Sequence, residues 1–234
     1  MADNSMIKIV TIDNIPVQLD SEDILKKLHM DKKKTVKNDI QELIDLAKSI
    51  MAPRAIYGIA YISDKGRDTV SVNSTTFTSH VLSTNFASVG RFFPYVVTIG
   101  KELEEKCKSM KLLKQYCLEE IGNIALRTAR KHLEDYLKSE YKLTLLSSMS
   151  PGRLADWPLS EQKLLFSLLG DVEEMLGVSL TDSMMMIPRK SVSGLYFPTE
   201  LHFESCQLCP RERCEGRKTP YDAELAKSYS TSTG

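Results

Sequence analysis

The sequence lacks the short motifs that mark several large enzyme classes. It contains no G-x-G-x-x-G, no Walker loop, no H-E-x-x-H and no G-x-S-x-G. These motifs cradle a dinucleotide pyrophosphate, bind a nucleoside triphosphate, hold a catalytic zinc ion and present a nucleophilic serine, respectively. The chain is therefore not predicted to be a Rossmann dehydrogenase, a P-loop enzyme, a zinc protease of that type or a serine hydrolase.

The chain also has no excess of either charge and no long apolar run. Lys and Arg together number 31, as do Asp and Glu, so the formal net charge is zero. Such a balance gives no support for nucleic acid or an anionic membrane as the main partner. No apolar run reaches the roughly 18 residues of a membrane span, and the N-terminus has no apolar signal-peptide core. We expect a cytoplasmic protein without a membrane segment.

Strand and helix patterns mix irregularly along the chain. Strands are predicted at residues 6–12, 55–62, 69–77, 94–99 and 143–147. Helices are predicted at residues 36–51, 103–141 and 160–176, the last closed by Gly177 as a left-handed cap, whereas residues 81–93 fit neither pattern. Without a regular βαβ alternation, this order predicts an α+β fold with a largely antiparallel sheet.

The composition predicts three regions. Residues 1–201 form the expected α+β core, residues 202–217 a Cys-rich segment, and residues 218–234 a C-terminal tail. The last part of that tail, residues 226–234, is rich in Ser and Thr and has no periodicity. We expect it to be frayed.

Three of the five cysteines, Cys206, Cys209 and Cys214, form a C-x2-C-x4-C motif. In a reducing compartment such a cluster indicates metal binding or redox chemistry over a disulfide framework. The thiolates could converge on one metal ion or iron–sulfur cluster. The fourth ligand could be His202, which is close enough in sequence to reach, an exogenous group or a residue of a partner. A disulfide between two of them, or free thiols, are the alternatives. Cys107 and Cys117 follow a helical pattern and are expected to serve packing.

The loop at residues 150–158, SPGRLADWP, is a candidate ligand site. Pro151 and Gly152 predict a tight turn with exposed backbone groups, and Arg153 offers several fixed hydrogen-bond donors. With the flat ring of Trp157, the loop would suit a ligand that carries both a carboxylate and an aromatic ring. The alternative is a surface turn whose Trp157 packs on the core.

The stretch at residues 180–199 ends in a predicted strand with unusually small side chains. Ser191, Ser193 and Gly194 precede the aromatic pair Tyr196 and Phe197. Small residues allow a large ligand or another chain to approach the backbone closely. A buried strand with a glycine bulge is the alternative.

Four stretches, in order, resemble the activation domain of cobalamin-dependent methionine synthase. The most specific is LTDSMMMIPRKSVSGLYF at residues 180–197, which resembles the family's closing motif: Leu-Thr-Glu/Asp-Ser, apolar residues, Pro, and then Ser-Val-Ser-Gly before Tyr-Phe. The other three are PRAIYG at residues 53–58, VVTIG at residues 96–100 followed by LEE, and SPG at residues 150–152. The resemblance spans roughly residues 34–200.

The resemblance implies a bent, mostly antiparallel sheet with helices clustered at its ends. In the family, the loop binds S-adenosylmethionine through an Arg three positions before the Pro and a Tyr directly after the Gly. Those positions here hold Ser148 and Arg153. Ser150, Pro151 and Gly152 carry over, and Arg153 is a candidate for the lost carboxylate contact.

The resemblance further implies a corrinoid partner. We expect Ser191, Ser193, Gly194 and Tyr196 to lie on a strand that contacts the corrinoid. The chain has no D-x-H-x-x-G loop, by which many corrinoid proteins supply a cobalt ligand, so the cobalamin is expected on the partner.

The function implied is corrinoid activation in trans. The chain would dock on a corrinoid protein and support reductive methylation of its cobalt, with S-adenosylmethionine as methyl donor and a separate electron donor or an iron–sulfur cluster as reductant. If the chain is itself catalytic, its reaction is corrinoid reactivation with methyl transfer. The alternatives are a non-catalytic corrinoid chaperone or assembly subunit with a structural metal, and a small redox sensor using the three thiols.

Overall fold

The computed structural model describes residues 7–30, 36–214 and 216–230. The ten strands of this part, in chain order, are β1 (Lys8–Ile12), β2 (Arg54–Tyr61), β3 (Asp64–Lys65), β4 (Thr69–Val72), β5 (Thr75–Thr78), β6 (Arg91–Thr98), β7 (Leu146–Met149), β8 (Ser179–Leu180), β9 (Met186–Ile187) and β10 (Ser191–Pro198). Its eight α-helices are α1 (Ser21–Lys27), α2 (Val36–Ile50), α3 (His80–Asn85), α4 (Glu102–Lys108), α5 (Leu112–Glu140), α6 (Gln162–Leu169), α7 (Val172–Leu176) and α8 (Ala223–Ser230).

The central sheet has five strands in the order β1-β2-β6-β10-β7, and each neighbouring pair is antiparallel. The predicted α+β class with a largely antiparallel sheet is therefore confirmed. The closing motif lies inside the sheet, because β10 pairs with β6 on one side and with β7 on the other. The motif and the chain entering the ligand loop are thus neighbours.

The two faces of the sheet bury different helices, as the period-two alternation of strand side chains requires. On one face, Tyr57, Tyr95 and Tyr196 pack with Leu133 and Leu137 of α5. The opposite face packs against α3, α6, α7 and the β3–β5 sheet. A third cluster joins α1, α2, α4 and the first half of α5 beside the end of β6, so these helices gather at one end of the sheet.

Several predicted elements are broken where the chain must fold back. The predicted helix at residues 103–141 is two helices, α4 and α5, which pack on each other through Leu103, Cys107 and Leu118. The predicted strand at residues 69–77 is the β4–β5 hairpin, which turns at Asn73 with φ +51°. The helix predicted at residues 160–176 is interrupted at Gly170, whose φ of +78° no helix can continue.

Other local predictions are confirmed. Gly177 closes α7 in the left-handed conformation, and its amide donates to the Glu173 carbonyl at 2.9 Å. Cys107 and Cys117 are buried in the helical cluster, and burial raises the pKa of the Cys107 thiol to about 11. A thiol with a raised pKa is a poor metal ligand, because the thiolate is the ligating form. Their assignment to packing therefore agrees with the structure.

The C-terminal tail is more ordered than its composition indicates. Residues 226–230, predicted to fray, belong to α8; residues 231–234 lie outside the described part. Asp222 begins this helix by accepting a hydrogen bond from the Leu225 amide at 2.9 Å, and Tyr229 packs against Phe203 with a centroid distance of 5.9 Å. The sequence did not indicate this helix, because it is too short to show a clear hydrophobic period and because its contact with Phe203 joins residues far apart in the chain. Among the described helices, none is both long and apolar enough to cross a membrane.

Candidate functional site

The ligand loop, residues 150–158, is a closed turn directly after β7. The Gly152 amide donates to the Trp157 carbonyl at 2.8 Å, and Leu154 and Trp157 form an isolated antiparallel bridge. Gly152 has φ +78°, and a Cβ there would lie 3.0 Å from Leu159 Cδ1. The positive φ and the lack of room for a Cβ both require glycine at this position. The predicted tight Pro-Gly turn is present.

Arg153 and Trp157 of this loop have opposite environments. Trp157 is fully buried, edge-on to Phe77 at 5.9 Å, so its ring packs on the core and is not presented to a ligand. Arg153 is exposed, and its guanidinium makes no hydrogen bond or ion pair with a residue that the structure describes. Of the two predicted ligand-binding side chains, only Arg153 is available.

The loop and the closing strand form one unit. The Ser150 hydroxyl donates to the Ser193 carbonyl at 2.7 Å. A Cβ at Gly194 would lie 2.6 Å from the Met149 carbonyl oxygen and 2.5 Å from Ser150 Oγ, closer than real Cβ contacts. The small size of Gly194 therefore lets β10 approach the entrance of the ligand loop.

Ser191 and Ser193 are buried and have internal partners. The Ser191 hydroxyl donates to the Pro188 carbonyl at 2.7 Å and to Thr98 Oγ1 at 2.9 Å. The Ser193 hydroxyl donates to the side-chain carbonyl of Gln162 at 3.2 Å. Their small size thus has an explanation within the fold, and contact with a corrinoid stays a prediction for this strand.

Tyr196 lies in a buried polar cluster that the sequence alone did not indicate. Its ring stacks on Tyr95 at 4.5 Å, and its hydroxyl accepts a hydrogen bond from Arg130 Nε at 3.1 Å. Burial raises the pKa of Tyr196 well above its usual value, so the phenol stays protonated. The pKa of Arg130 is raised as well, chiefly through its electrostatic interaction with Tyr95.

Arg130 also contacts Ser148, the position at which the resembling family carries an Arg. Its Nη2 donates to Ser148 Oγ at 2.7 Å, so α5 and β7 are joined here by a charge-assisted hydrogen bond. In the sequence, Arg130 is one basic residue among several on an amphipathic helix, and no motif singles it out.

The Cys-rich segment returns beside the ligand loop because it is anchored on β7. The Phe203 amide donates to Ser147 Oγ at 2.7 Å, and Glu204 forms a parallel bridge with Ser148. A 3₁₀ turn, Ser205–Leu208, then carries Cys206. The two candidate sites, separate in the sequence, are thus neighbours in the fold.

Arg217 organises the backbone around the thiols. Its guanidinium donates to the carbonyls of Cys206 and Cys209, each at 3.2 Å, and to the Arg211 carbonyl. The Lys218 amide donates to Cys206 Sγ at 3.5 Å. Amide donors of this kind stabilise a thiolate, as the outer contacts of metal ligands do.

All three thiols are free and line one cavity of about 250 Å³, together with Gly152 and Arg153. We refer to it as the thiol cavity. Among the described residues, however, no group of three or more His, Cys, Asp or Glu side chains is arranged so that it could hold a metal ion. The donor chemistry suits a soft metal, but an ion would have to draw the thiols together.

His202, the predicted fourth ligand, is not among the residues that line the thiol cavity. Its imidazole is half-exposed, and its Nε2 lies 3.5 Å from Glu204 Oε1. The structure therefore places His202 beside a carboxylate, and its ligand role stays a prediction.

A second cavity, which we call the loop cavity, measures about 660 Å³ and lies between the ligand loop and the Cys-rich segment. Its walls come from both sides. They are Gly152, Arg153, Leu154, Ala155, Pro158 and Leu159 on one side, and Cys209, Pro210 and Arg211 on the other. This volume falls within the roughly 300–1,000 Å³ that is usual for small-molecule sites.

Comparisons with known proteins support the resemblance. The family model for the vitamin B12 dependent methionine synthase activation domain matches residues 131–208. A search of the curated proteins found no match. Among solved structures, the MetH reactivation domain bound to AdoHcy (S-adenosylhomocysteine) shares this fold with a TM-score of 0.56 and 16% sequence identity. The alignment covers 87% of this chain and 82% of that one.

The predicted resemblance to the activation domain of cobalamin-dependent methionine synthase is confirmed by the family model, and the predicted fold by the solved structure. The matched segment contains both the ligand loop and the closing strand. It ends at Leu208, so Cys209, Arg211 and Cys214 lie beyond it.

Proposed function

We propose that this chain, which has the fold of a methionine synthase activation domain, activates a corrinoid protein in trans. The chain docks over the partner's corrinoid and binds S-adenosylmethionine at the ligand loop. The reaction moves the methyl group from the sulfonium to the reduced cobalt and leaves S-adenosylhomocysteine. A separate donor supplies the electron that reduces the cobalt beforehand.

The main observation in support of this proposal is the direct contact between the ligand loop and the closing strand β10. The family match includes the ligand loop and the closing strand, and the Ser150–Ser193 hydrogen bond holds them together. The close approach at Gly194 fixes their distance. A methyl donor held on the loop would therefore lie beside the strand that we propose as the corrinoid contact.

The chain's own groups have distinct roles in this proposal. The backbone of Ser150, Pro151 and Gly152 shapes the ligand loop, and Arg153 binds the ligand's carboxylate. The strand containing Ser191, Ser193, Gly194 and Tyr196 forms the support for the corrinoid face. The buried Arg130–Tyr196 hydrogen bond makes that support rigid, because its donor and acceptor are shielded from water.

We also propose that Cys206, Cys209 and Cys214 bind one metal ion or iron–sulfur cluster. Replacing Cys209 with serine is expected to remove most of the bound metal, because three thiolates gain their affinity by sharing one centre. Cys117→Ser should keep the metal, since Cys117 is buried in the helical cluster. Metal analysis of the anaerobically purified wild type and the two variants measures the bound metal. The visible spectrum distinguishes a coloured iron–sulfur cluster from zinc.

Equal metal content in the wild type and the Cys209→Ser variant would contradict this metal centre. If a variant lost its metal but still activated the corrinoid, the metal centre would be real but its role would be structural.

A non-catalytic corrinoid chaperone is the second candidate. It is favoured by the altered ligand loop, where Ser148 and Arg153 replace the family's Arg and Tyr and Trp157 is buried. The two functions differ in one observable. Only the activator makes methylation of a partner's corrinoid depend on both S-adenosylmethionine and this chain.

A further inference from the structure

The Cys-rich segment forms part of the proposed ligand site as well as the proposed metal site. Cys209 lines the loop cavity and the thiol cavity, and so does Arg153 of the ligand loop. The two cavities therefore meet at these residues.

Two guanidinium groups line the loop cavity from opposite sides. Arg153 comes from the ligand loop and Arg211 from the Cys-rich segment, and both are exposed. Neither guanidinium makes a hydrogen bond or ion pair with any residue in the described part of the chain. The nearby carboxylate of Asp156 is already engaged, since it accepts hydrogen bonds from the amides of His80 and Val81.

The remaining walls of the loop cavity are largely apolar. They are contributed by Leu154, Pro158, Leu159 and Pro210. Two cations over an apolar floor suit a ligand that carries a carboxylate on an otherwise less polar body. Without such a ligand, both the Arg153 and the Arg211 guanidinium groups are solvated by water.

The backbone that carries Arg211 is held in place before any ligand binds. The Arg217 guanidinium donates to the carbonyls of Cys206, Cys209 and Arg211. A wall that is already ordered loses less conformational entropy on binding.

We propose that the segment from Cys209 to Arg211 is the second wall of the ligand site and that Arg211 binds the carboxylate of S-adenosylmethionine together with Arg153. This inference rests on the proposed function, whose ligand it adopts. The wall lies outside the matched family segment, which ends at Leu208. Because Cys209 belongs to the same wall, ligand binding and the state of the thiols are linked, and each affects the other equally.

Calorimetric titration with S-adenosylhomocysteine, which cannot donate a methyl group, tests this inference. Arg211→Ala is expected to weaken binding roughly tenfold, the usual effect of losing one charge-assisted hydrogen bond. Arg213→Ala is the matched control, because Arg213 is another exposed Arg, two residues away, that is not among the residues lining either cavity. It should bind as the wild type does.

A second measurement probes the wall without changing Arg211. In a variant that retains Cys209 but has Cys206→Ser and Cys214→Ser, saturating S-adenosylhomocysteine should suppress alkylation of Cys209 by iodoacetamide. Equal affinity in the Arg211→Ala, Arg213→Ala and wild-type proteins would overturn the second wall and leave the proposed function standing. Unchanged alkylation of Cys209 at saturation would do the same. No binding by the wild type would overturn both.

Discussion

Replacing Gly194 with alanine is expected to lower the free energy of unfolding by about 2 kcal/mol or more. The new Cβ would lie 2.6 Å from the Met149 carbonyl oxygen, a backbone atom that cannot turn aside as a flexible side chain would. Strands β7 and β10 would have to separate at the entrance of the ligand loop. For a chain of this size the loss corresponds to a fall in melting temperature of roughly 4–8 °C.

Gly90→Ala is the matched control for Gly194→Ala. A Cβ at Gly90 meets nothing within 4 Å, and Gly90 is not in the left-handed region. Its effect should be near zero or slightly stabilising, because alanine restricts the unfolded chain more than glycine does. If both variants melted at the wild-type temperature, the close approach at Gly194 would be wrong, and corrinoid contact would become the better explanation for its small size.

Replacing Arg130 with alanine is expected to cost about 2–4 kcal/mol of stability. The change leaves Ser148 Oγ without its donor at 2.7 Å and Tyr196 without its donor at 3.1 Å, in a place with little access to water. It also removes the aliphatic stem and the contact of the guanidinium with the Tyr196 ring, at 5.6 Å from the centroid. Denaturant titration of the two proteins measures the difference.

Arg127→Ala is the control on the same helix. Arg127 is exposed and forms an ion pair with Glu120 at 3.3 Å, of the kind that contributes about 0–1 kcal/mol. A loss as small in Arg130→Ala as in Arg127→Ala would contradict a stabilising cluster around Tyr196.

The sequence predicts those features of this fold that depend on local pattern. Strands β2 and β6 are short, nearly continuous apolar runs, the Pro151-Gly152 turn follows from its residues, and Gly177 marks a helix end. Helix breaks were predicted less well. The apolar residues keep a helical spacing across the turn between α4 and α5 and across Gly170. This pattern alone therefore gives no sign of either break.

The candidate site depends on contacts between distant parts of the chain, which a local pattern cannot show. Arg130 reaches Ser148 across 18 positions, and the Phe203 amide reaches Ser147 across 56. The sequence identified the ligand loop and the cysteine cluster separately. Only the folded chain shows that Arg153 and Cys209 line the same cavities.

The most direct test of the proposed activation is methylation of a corrinoid in trans. A cobalamin-loaded corrinoid domain that lacks its own activation domain is kept anaerobic with titanium(III) citrate and S-adenosylmethionine, and its visible spectrum is followed with and without this chain. We predict that the methylated corrinoid forms only when both the chain and S-adenosylmethionine are present, with one S-adenosylhomocysteine released per methyl group. A rate that is unchanged when the chain is omitted, or a chain that binds the corrinoid domain without any methylation, would contradict the proposed activation.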